Sequence, residues 1–146
     1  MHLQITRQTE YAIRTLLELA NVPFGQMLQS KTISERQEIP EVFLKKTIQL
    51  LAVAGLVSTQ RGSQGGVRLS VPGDQITIAN IVTAIEGKVA INVCLAEGNH
   101  CVNKSSCQVH RTLKRAQDAL VSELSRETLA DIIAKKEVGL CQNELL

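Results

Sequence analysis

The sequence predicts a mostly α fold broken by one small β-hairpin, with a long helix appended. Three observations predict it. Apolar residues recur at helical spacing through residues 6–21, 40–54, 77–85 and 107–127. Within the first half, Glu38-Ile39-Pro40 separates two helical stretches with a breaker. Directly after the second stretch, two short β-rich runs flank the tip Arg61-Gly-Ser-Gln-Gly-Gly66. Two helices joined by a tight turn and continued into a hairpin form the winged helix-turn-helix arrangement, with the hairpin as wing.

In residues 6–21, Ala12, Ile13, Leu16, Leu17, Leu19 and Ala20 share a helical side, Thr6 or Thr9 can cap the start, and Asn21-Val22-Pro23 ends it. A loop through Gly25 leads to a short helix capped by Ser30 and running to about Gln37. Pro40 is placed to open the next helix, where Phe43, Leu44, Ile48, Leu51 and Ala52 face inward and Gly55 is the stop. Its outward residues Glu41, Lys45, Lys46 and Gln49 suit the major groove of DNA. Strands at 56–59 and 67–70 then make the wing. Arg61 suits a narrow A·T-rich minor groove, with Arg68 on its other flank. The expected DNA-contacting set is Pro40, Glu41, Lys45, Lys46, Gln49, Arg61, Gly62, Ser63, Gln64, Gly65, Gly66 and Arg68. A solvated hairpin turn with ordinary surface arginines is the bland alternative, and the two preceding helices weigh against it. The glycine-rich tip lacks the Gly-Lys-Ser/Thr ending of a phosphate-binding loop and leads into a strand.

Pro72-Gly73-Asp74 reads as a turn, and Ile78, Ile81, Val82 and Ile85 mark a helix ended by Gly87. Residues 89–93 are short and apolar and lead into a polar loop. After it, Val109, Leu113, Ala116, Leu120 and Leu124 recur every three or four residues to about residue 127. Such a helix either packs back on its own domain or pairs with a second copy. The expected division is a winged helix-turn-helix domain at 1–73, a linker helix and ligand loop at 74–110, a dimerisation helix at 107–127, and a tail at 128–146. The tail reads as one short helix and a loose end, with Cys141 as a bystander.

The loop between the last two major helices carries the chemistry. Cys94, Cys101, Cys107 and His110 fall within seventeen residues, and Gly98, Asn99, Asn103, Ser105 and Ser106 give the linker loop character. Three soft thiolates and an imidazole suit zinc or an iron–sulfur cluster. Zinc knuckles pair their ligands two to four residues apart. Here six residues separate Cys94 from Cys101 and five separate Cys101 from Cys107, which fits a bulkier group. Cys107 and His110 stand at i and i+3, where the opening turn of a helix presents both on one face. Zinc, a disulfide with a spare thiol and buried structural cysteines are the competing readings. A cysteine nucleophile with His100 or His110 as base would need a pocket and an oxyanion hole that the loop does not supply, so an enzyme is not expected.

Composition bounds the rest. Hydrophobic residues make up 44% of the chain, enough for a core, and aromatics only 2%, so aliphatic side chains fill it. No apolar run approaches the ~18 residues that a membrane span needs. The first residues lack the apolar stretch of a signal peptide, so a reducing cytoplasm is expected, where thiols serve as ligands more often than as disulfides. The basic excess sits in residues 1–73, with eight Lys/Arg against five Asp/Glu; residues 74–146 carry eight against nine. That asymmetry is small, but it favours the first half as the DNA-contacting part.

Several stretches together carry a resemblance. They are Leu3 with Arg7-Gln-Thr-Glu-Tyr11-Ala-Ile-Arg14, Ile39-Pro-Glu-Val-Phe-Leu44, Ala54-Gly-Leu-Val57, Arg61-Gly-Ser-Gln-Gly-Gly-Val-Arg-Leu69 and the three-cysteine loop. With them the chain resembles, over nearly its whole length, the iron–sulfur winged-helix transcription regulators of the IscR, NsrR and RirA family. The resemblance implies a homodimer in which the helix after the cysteines crosses to the partner, and DNA affinity that follows the state of a cluster near that interface. Cys94, Cys101 and Cys107 match the family's cluster cysteines, with one residue more than usual between the first two. His110 matches the fourth ligand of a 2Fe–2S cluster in IscR-like members. Glu10 stands where NsrR-like members complete a 4Fe–4S cluster from the partner's first helix. The expectation is a repressor binding double-stranded DNA, with a 2Fe–2S cluster favoured over 4Fe–4S and with iron, redox or nitric oxide status as its input. A zinc-binding or thiol-redox regulator of the same build is the alternative.

Overall fold

A computed structural model describes residues 3–137. Helix α1 spans Arg7–Ala20, and the Thr6 hydroxyl caps it by accepting from the Thr9 amide at 3.2 Å. Its side chains Thr9, Tyr11, Ala12, Thr15, Leu16 and Leu19 are buried, one face of a helical repeat. Helices α2 (Ser30–Gln37) and α3 (Glu41–Val53) follow. The cap of α2 is Gln29 and not the expected Ser30: the Ile33 amide donates to the Gln29 carbonyl at 3.3 Å, which draws Ser30 into the first turn.

Between α2 and α3, Glu38 adopts the left-handed conformation at φ 53°, which costs a residue with a Cβ. Neighbouring polar groups hold it there. The Ser34 hydroxyl donates to the Ile39 carbonyl at 2.6 Å, and the Ile39 amide returns to the Ser34 carbonyl at 3.0 Å. From α1, the Arg14 guanidinium donates to the Gln37 carbonyl, and Glu18 accepts from Gln37 Nε2 at 2.6 Å. The turn that sets α2 against α3 is therefore fastened by side chains of the first helix.

Leu44, Thr47, Ile48 and Leu51 form the buried stripe of α3. Phe43, expected inward, is 55% exposed. At 3.6 residues per turn it falls on the flank of that stripe, where its ring centroid lies 6.3 Å from that of Tyr11. Thr47 occupies the core instead, its hydroxyl satisfied by the Phe43 carbonyl at 2.8 Å.

Strands β1 (Val57–Gln60) and β2 (Gly66–Leu69) pair antiparallel, Val57 opposite Leu69 and Gln60 opposite Gly66. Val57, Val67 and Leu69 turn inward and are buried. Leu28 adds a third rung: its amide donates to the Val67 carbonyl at 2.9 Å and its carbonyl accepts from the Val67 amide at 2.8 Å. Gly66 permits this approach. It has φ +151°, and a Cβ there would stand 2.4 Å from the Leu28 carbonyl oxygen.

A 3-10 turn at Gly73–Gln75 leads to α4 (Ile78–Glu86), which opens with a reciprocal cap between Thr77 and Asn80. A second 3-10 turn, Val93–Leu95, stands where residues 89–93 reach the cysteine loop. Then come α5 (Gln108–Leu124) and α6 (Leu129–Glu137). The tail is tied in more firmly than expected: Leu129 is fully buried, and its amide donates to the Ile76 carbonyl at 2.9 Å. Cys141 lies outside the described residues. Helix α5 buries no side chain. Leu113, Leu120 and Leu124 are half-buried, whereas Val109 and Ala116, seven apart on a neighbouring flank, are exposed.

Where α4 ends, Glu86 reaches back to the start of α1. Its Oε1 accepts from the Thr6 amide at 2.8 Å, the Thr6 hydroxyl at 3.0 Å and the Thr9 hydroxyl. A carboxylate suits the positive end of the α1 dipole. Desolvation pushes the Glu86 carboxyl up, but the hydrogen bonds from Thr9 and Thr6 outweigh it and hold the group below the usual glutamate value. A lowered folded-state value means that this stabilisation is complete above the unfolded-state value and is lost as pH falls through the folded one. Urea unfolding across a pH series should therefore show a weaker acid-side loss of stability in Glu86→Gln than in the wild type. In the wing, Gly66→Ala should destabilise by more than about 1 kcal/mol in the same assay, because its backbone conformation and the Leu28 carbonyl both oppose a Cβ.

Candidate nucleic-acid interface and cysteine site

The outer face of α3 presents Glu41, Lys45, Lys46 and Gln49 to solvent, and Pro40 precedes it as an exposed N-cap residue. These positions follow from the buried stripe, since burying Leu44, Thr47, Ile48 and Leu51 turns the opposite side outward. A groove of about 270 Å³ runs between α3 and the wing, lined by Ser30, Lys45, Ile48, Gln49, Thr59 and Gln60. At the wing tip Arg61, Gly62, Ser63 and Gln64 are exposed. Arg68 is also exposed, and its Nε donates to the Ser58 hydroxyl at 3.1 Å across the strands. Gly65 is buried and Gly66 half-buried, and both lie against backbone: a Cβ on Gly65 would stand 2.1 Å from the Gln60 carbonyl oxygen. These two glycines shape the hairpin, while the four tip residues before them are open to a partner.

Among the described residues, Lys45, Lys46 and Arg61 have no carboxylate partner within ion-pair distance. Unpaired cations on one surface are available to phosphate. Sequence reasoning missed two neighbours of this surface. Arg7 lines a hollow of about 210 Å³ with Tyr11, Phe43 and Lys46, which places another cation where α1 meets α3. Val42 lies on the same outer face and is 78% exposed. An apolar residue carries no signal for such a surface until the buried stripe of its helix is known.

The cysteine site is assembled at the mouth of the loop. Cys107 is the N-cap of α5, its Sγ accepting from the His110 amide at 3.4 Å. That places His110 in the opening turn, where Nδ1 lies 3.4 Å from Cys94 Sγ, sixteen residues away in sequence. Asn92 Nδ2 donates to the same sulfur at 3.2 Å. The backbone behind it is pinned to α5, where Gln117 Oε1 accepts from the Ile91 amide at 3.1 Å. The structure thus brings Cys94, Cys107 and His110 into one neighbourhood. Cys101 is exposed farther along the loop, and all three cysteines are free thiols. Among the described residues, no three of His, Cys, Asp and Glu converge closely enough for a single metal ion. Glu10 is exposed on α1, ion-paired with Arg14 at 3.2 Å, and His100 is exposed in the loop. No helix of the described residues is long and apolar enough to cross a membrane.

Comparison with known proteins bears on both halves. The family model described as "Rrf2: Iron-dependent Transcriptional regulator" matches residues 5–135. Among solved structures, CymR, the global cysteine regulator of B. subtilis, is similar at 26% identity and a TM-score of 0.73, over 91% of this chain and 98% of that one. The IscR of T. potens is similar at 27% identity and 0.72, over 99% and 96%. The oxidised form of CymR from Staphylococcus aureus is similar at 25% identity and 0.67, over 89% and 95%. Together with the helix-turn-helix and wing, these matches show that the chain belongs to the Rrf2 family and is a transcriptional regulator, not an enzyme.

Proposed function

We propose that this regulator binds double-stranded operator DNA as a cytoplasmic homodimer, and that an iron–sulfur cluster held by Cys94, Cys101, Cys107 and His110 sets its affinity. The observation that carries the proposal is the approach of His110 to Cys94 at 3.4 Å across a loop whose α5 end also holds Cys107. The donor set fits the group: three free thiols and an imidazole, with the outlying thiol on an exposed loop that can close. The wide spacing of the three thiols along the loop suits a group larger than one small ion. A bound 2Fe–2S cluster would supply a centre that responds to iron supply, oxidation or nitric oxide. Glu10 from a partner chain, completing a 4Fe–4S cluster, is the alternative. The similarity to T. potens IscR supports the cluster reading.

On this reading, residues 1–73 meet the DNA, the loop within 74–110 holds the cluster and 107–127 pairs the protomers. Lys45, Lys46 and Gln49 enter the major groove and Arg61 the adjacent minor groove, with most of the affinity coming from phosphate contacts. Pairing is supported by α5, which buries no side chain within its own chain. The similarity to CymR, seen also in an oxidised form, favours a second reading in which the thiols themselves are the input.

Anaerobic purification with iron and acid-labile sulfide quantified per chain decides between them. About two of each per chain are expected, with Cys94→Ser abolishing both and His110→Ala shortening the cluster's lifetime. Zinc without sulfide, or a colourless protein after anaerobic reconstitution, sinks the cluster. A second expectation concerns DNA directly. Lys46→Ala should weaken binding to all duplexes alike and lower the log–log salt slope by about 0.9, read by fluorescence anisotropy over a salt series.

A further inference from the structure

Val42 stands out among the exposed apolar residues. A single exposed valine is ordinary, and its position distinguishes this one. With 3.6 residues per turn, Val42, Lys46, Gln49 and Val53 fall on one stripe of α3, with Lys45 beside it. Val42 is 78% exposed, in the first turn, directly after Pro40 and Glu41. Recognition helices bring their N-terminal residues to base edges, so the far end of the stripe, at Val53, stands back from the bases. β-Branched residues are poor choices for exposed helical positions on propensity alone. Among the described residues no neighbour buries Val42, so packing among them does not account for it either.

We infer that Val42 is a specificity-determining residue that reads thymine through its 5-methyl group. The inference rests on the DNA-binding reading above and deepens it. In the major groove, the methyl is the one apolar feature that distinguishes T·A from the other base pairs. Cytosine carries only a hydrogen where thymine carries that methyl, so a valine side chain opposite it loses the apolar contact and gains no polar one. Lys45, Lys46 and Gln49 provide the polar and charged contacts around it. Val42 therefore adds to the operator preference a requirement that none of those side chains imposes.

The test starts from a random-sequence duplex pool, selected for binding by the full-length protein at fixed salt. In the recovered duplex, each thymine is replaced in turn by deoxyuridine, which removes the methyl and nothing else. For the wild type, one or two positions per half-site should lose about threefold to fivefold in affinity, the effect of burying one methyl. Val42→Ser should bind the thymine duplex more weakly by a similar factor, and should bind the thymine and deoxyuridine duplexes equally at those positions. Its melting curve and its affinity for unselected duplex should match the wild type. Wild-type indifference to deoxyuridine, or full discrimination retained by Val42→Ser, overturns the inference while leaving DNA binding intact. Failure of any sequence to enrich overturns the DNA-binding reading itself, and the inference with it.

Discussion

One buried face of α1 holds this molecule together. Ala12, Leu16 and Leu19 are buried along it with Tyr11, Thr9 and Thr15, and α2, α3, α4, α6 and the wing strand β2 all pack around this helix. The hydroxyl of Thr15 returns to the Tyr11 carbonyl at 2.7 Å, so even the polar members of that face are satisfied. Burial alone does not orient the neighbours, since the hydrophobic effect is not directional. Orientation comes from polar groups on the flank and at the N-terminus of the same helix. Arg14 and Glu18 fasten the turn between α2 and α3 at one edge, and Thr6 and Thr9 fasten the end of α4 through Glu86.

That arrangement puts the two functional regions on a common support. The exposed side of α3, proposed to meet DNA, takes its direction from a turn fixed to α1. The cysteine loop begins just past Glu86, at Gly87 with φ +83°, and Glu86 is the residue that binds the start of α1. At its other end the loop runs into α5, whose Gln117 holds the backbone at Ile91. The cysteine loop is thus connected to α3 through the packed helices α4 and α1. Coupling between sites needs a physical element with two arrangements that both sites can bias. The α4–α1 junction is well placed for that role, because its hydrogen bonds converge on a single carboxylate oxygen.

Much of this was legible in the sequence. The helices, the hairpin and the inward residues Leu44, Ile48 and Leu51 follow from period and breakers, which are local properties. The i, i+3 relation of Cys107 and His110 was legible for the same reason. What escaped was set by tertiary contact. Phe43 reads as core by its chemistry, yet the stripe of α3 runs through Thr47, a residue whose polarity hides its burial until its hydroxyl finds the Phe43 carbonyl. Leu129 lies in a stretch that reads as an appendage, and its burial and the bond from its amide to the Ile76 carbonyl show it as part of the core. Glu86 carried no motif, because its partners are about eighty residues away. The approach of Cys94 to His110 is a matter of loop closure, which spacing bounds but does not fix.

The cysteine site and the proposed dimer are linked by the stability of α5. Most of a helix's stability in a protein comes from packing of its apolar face. Within its own chain α5 rests on half-buried contacts, with Val109 66% exposed beside His110. Its first turn carries two of the four proposed ligands, so fraying of that turn would scatter them. A second copy covering the exposed flank would hold the turn in place, and a group bound to Cys107 and His110 would do the same from the other side. Anything that binds the ordered form and not the frayed one shifts the balance toward it. On the proposed reading, pairing and ligand binding would therefore favour one another even without direct contact between them, since both draw on the same turn of helix.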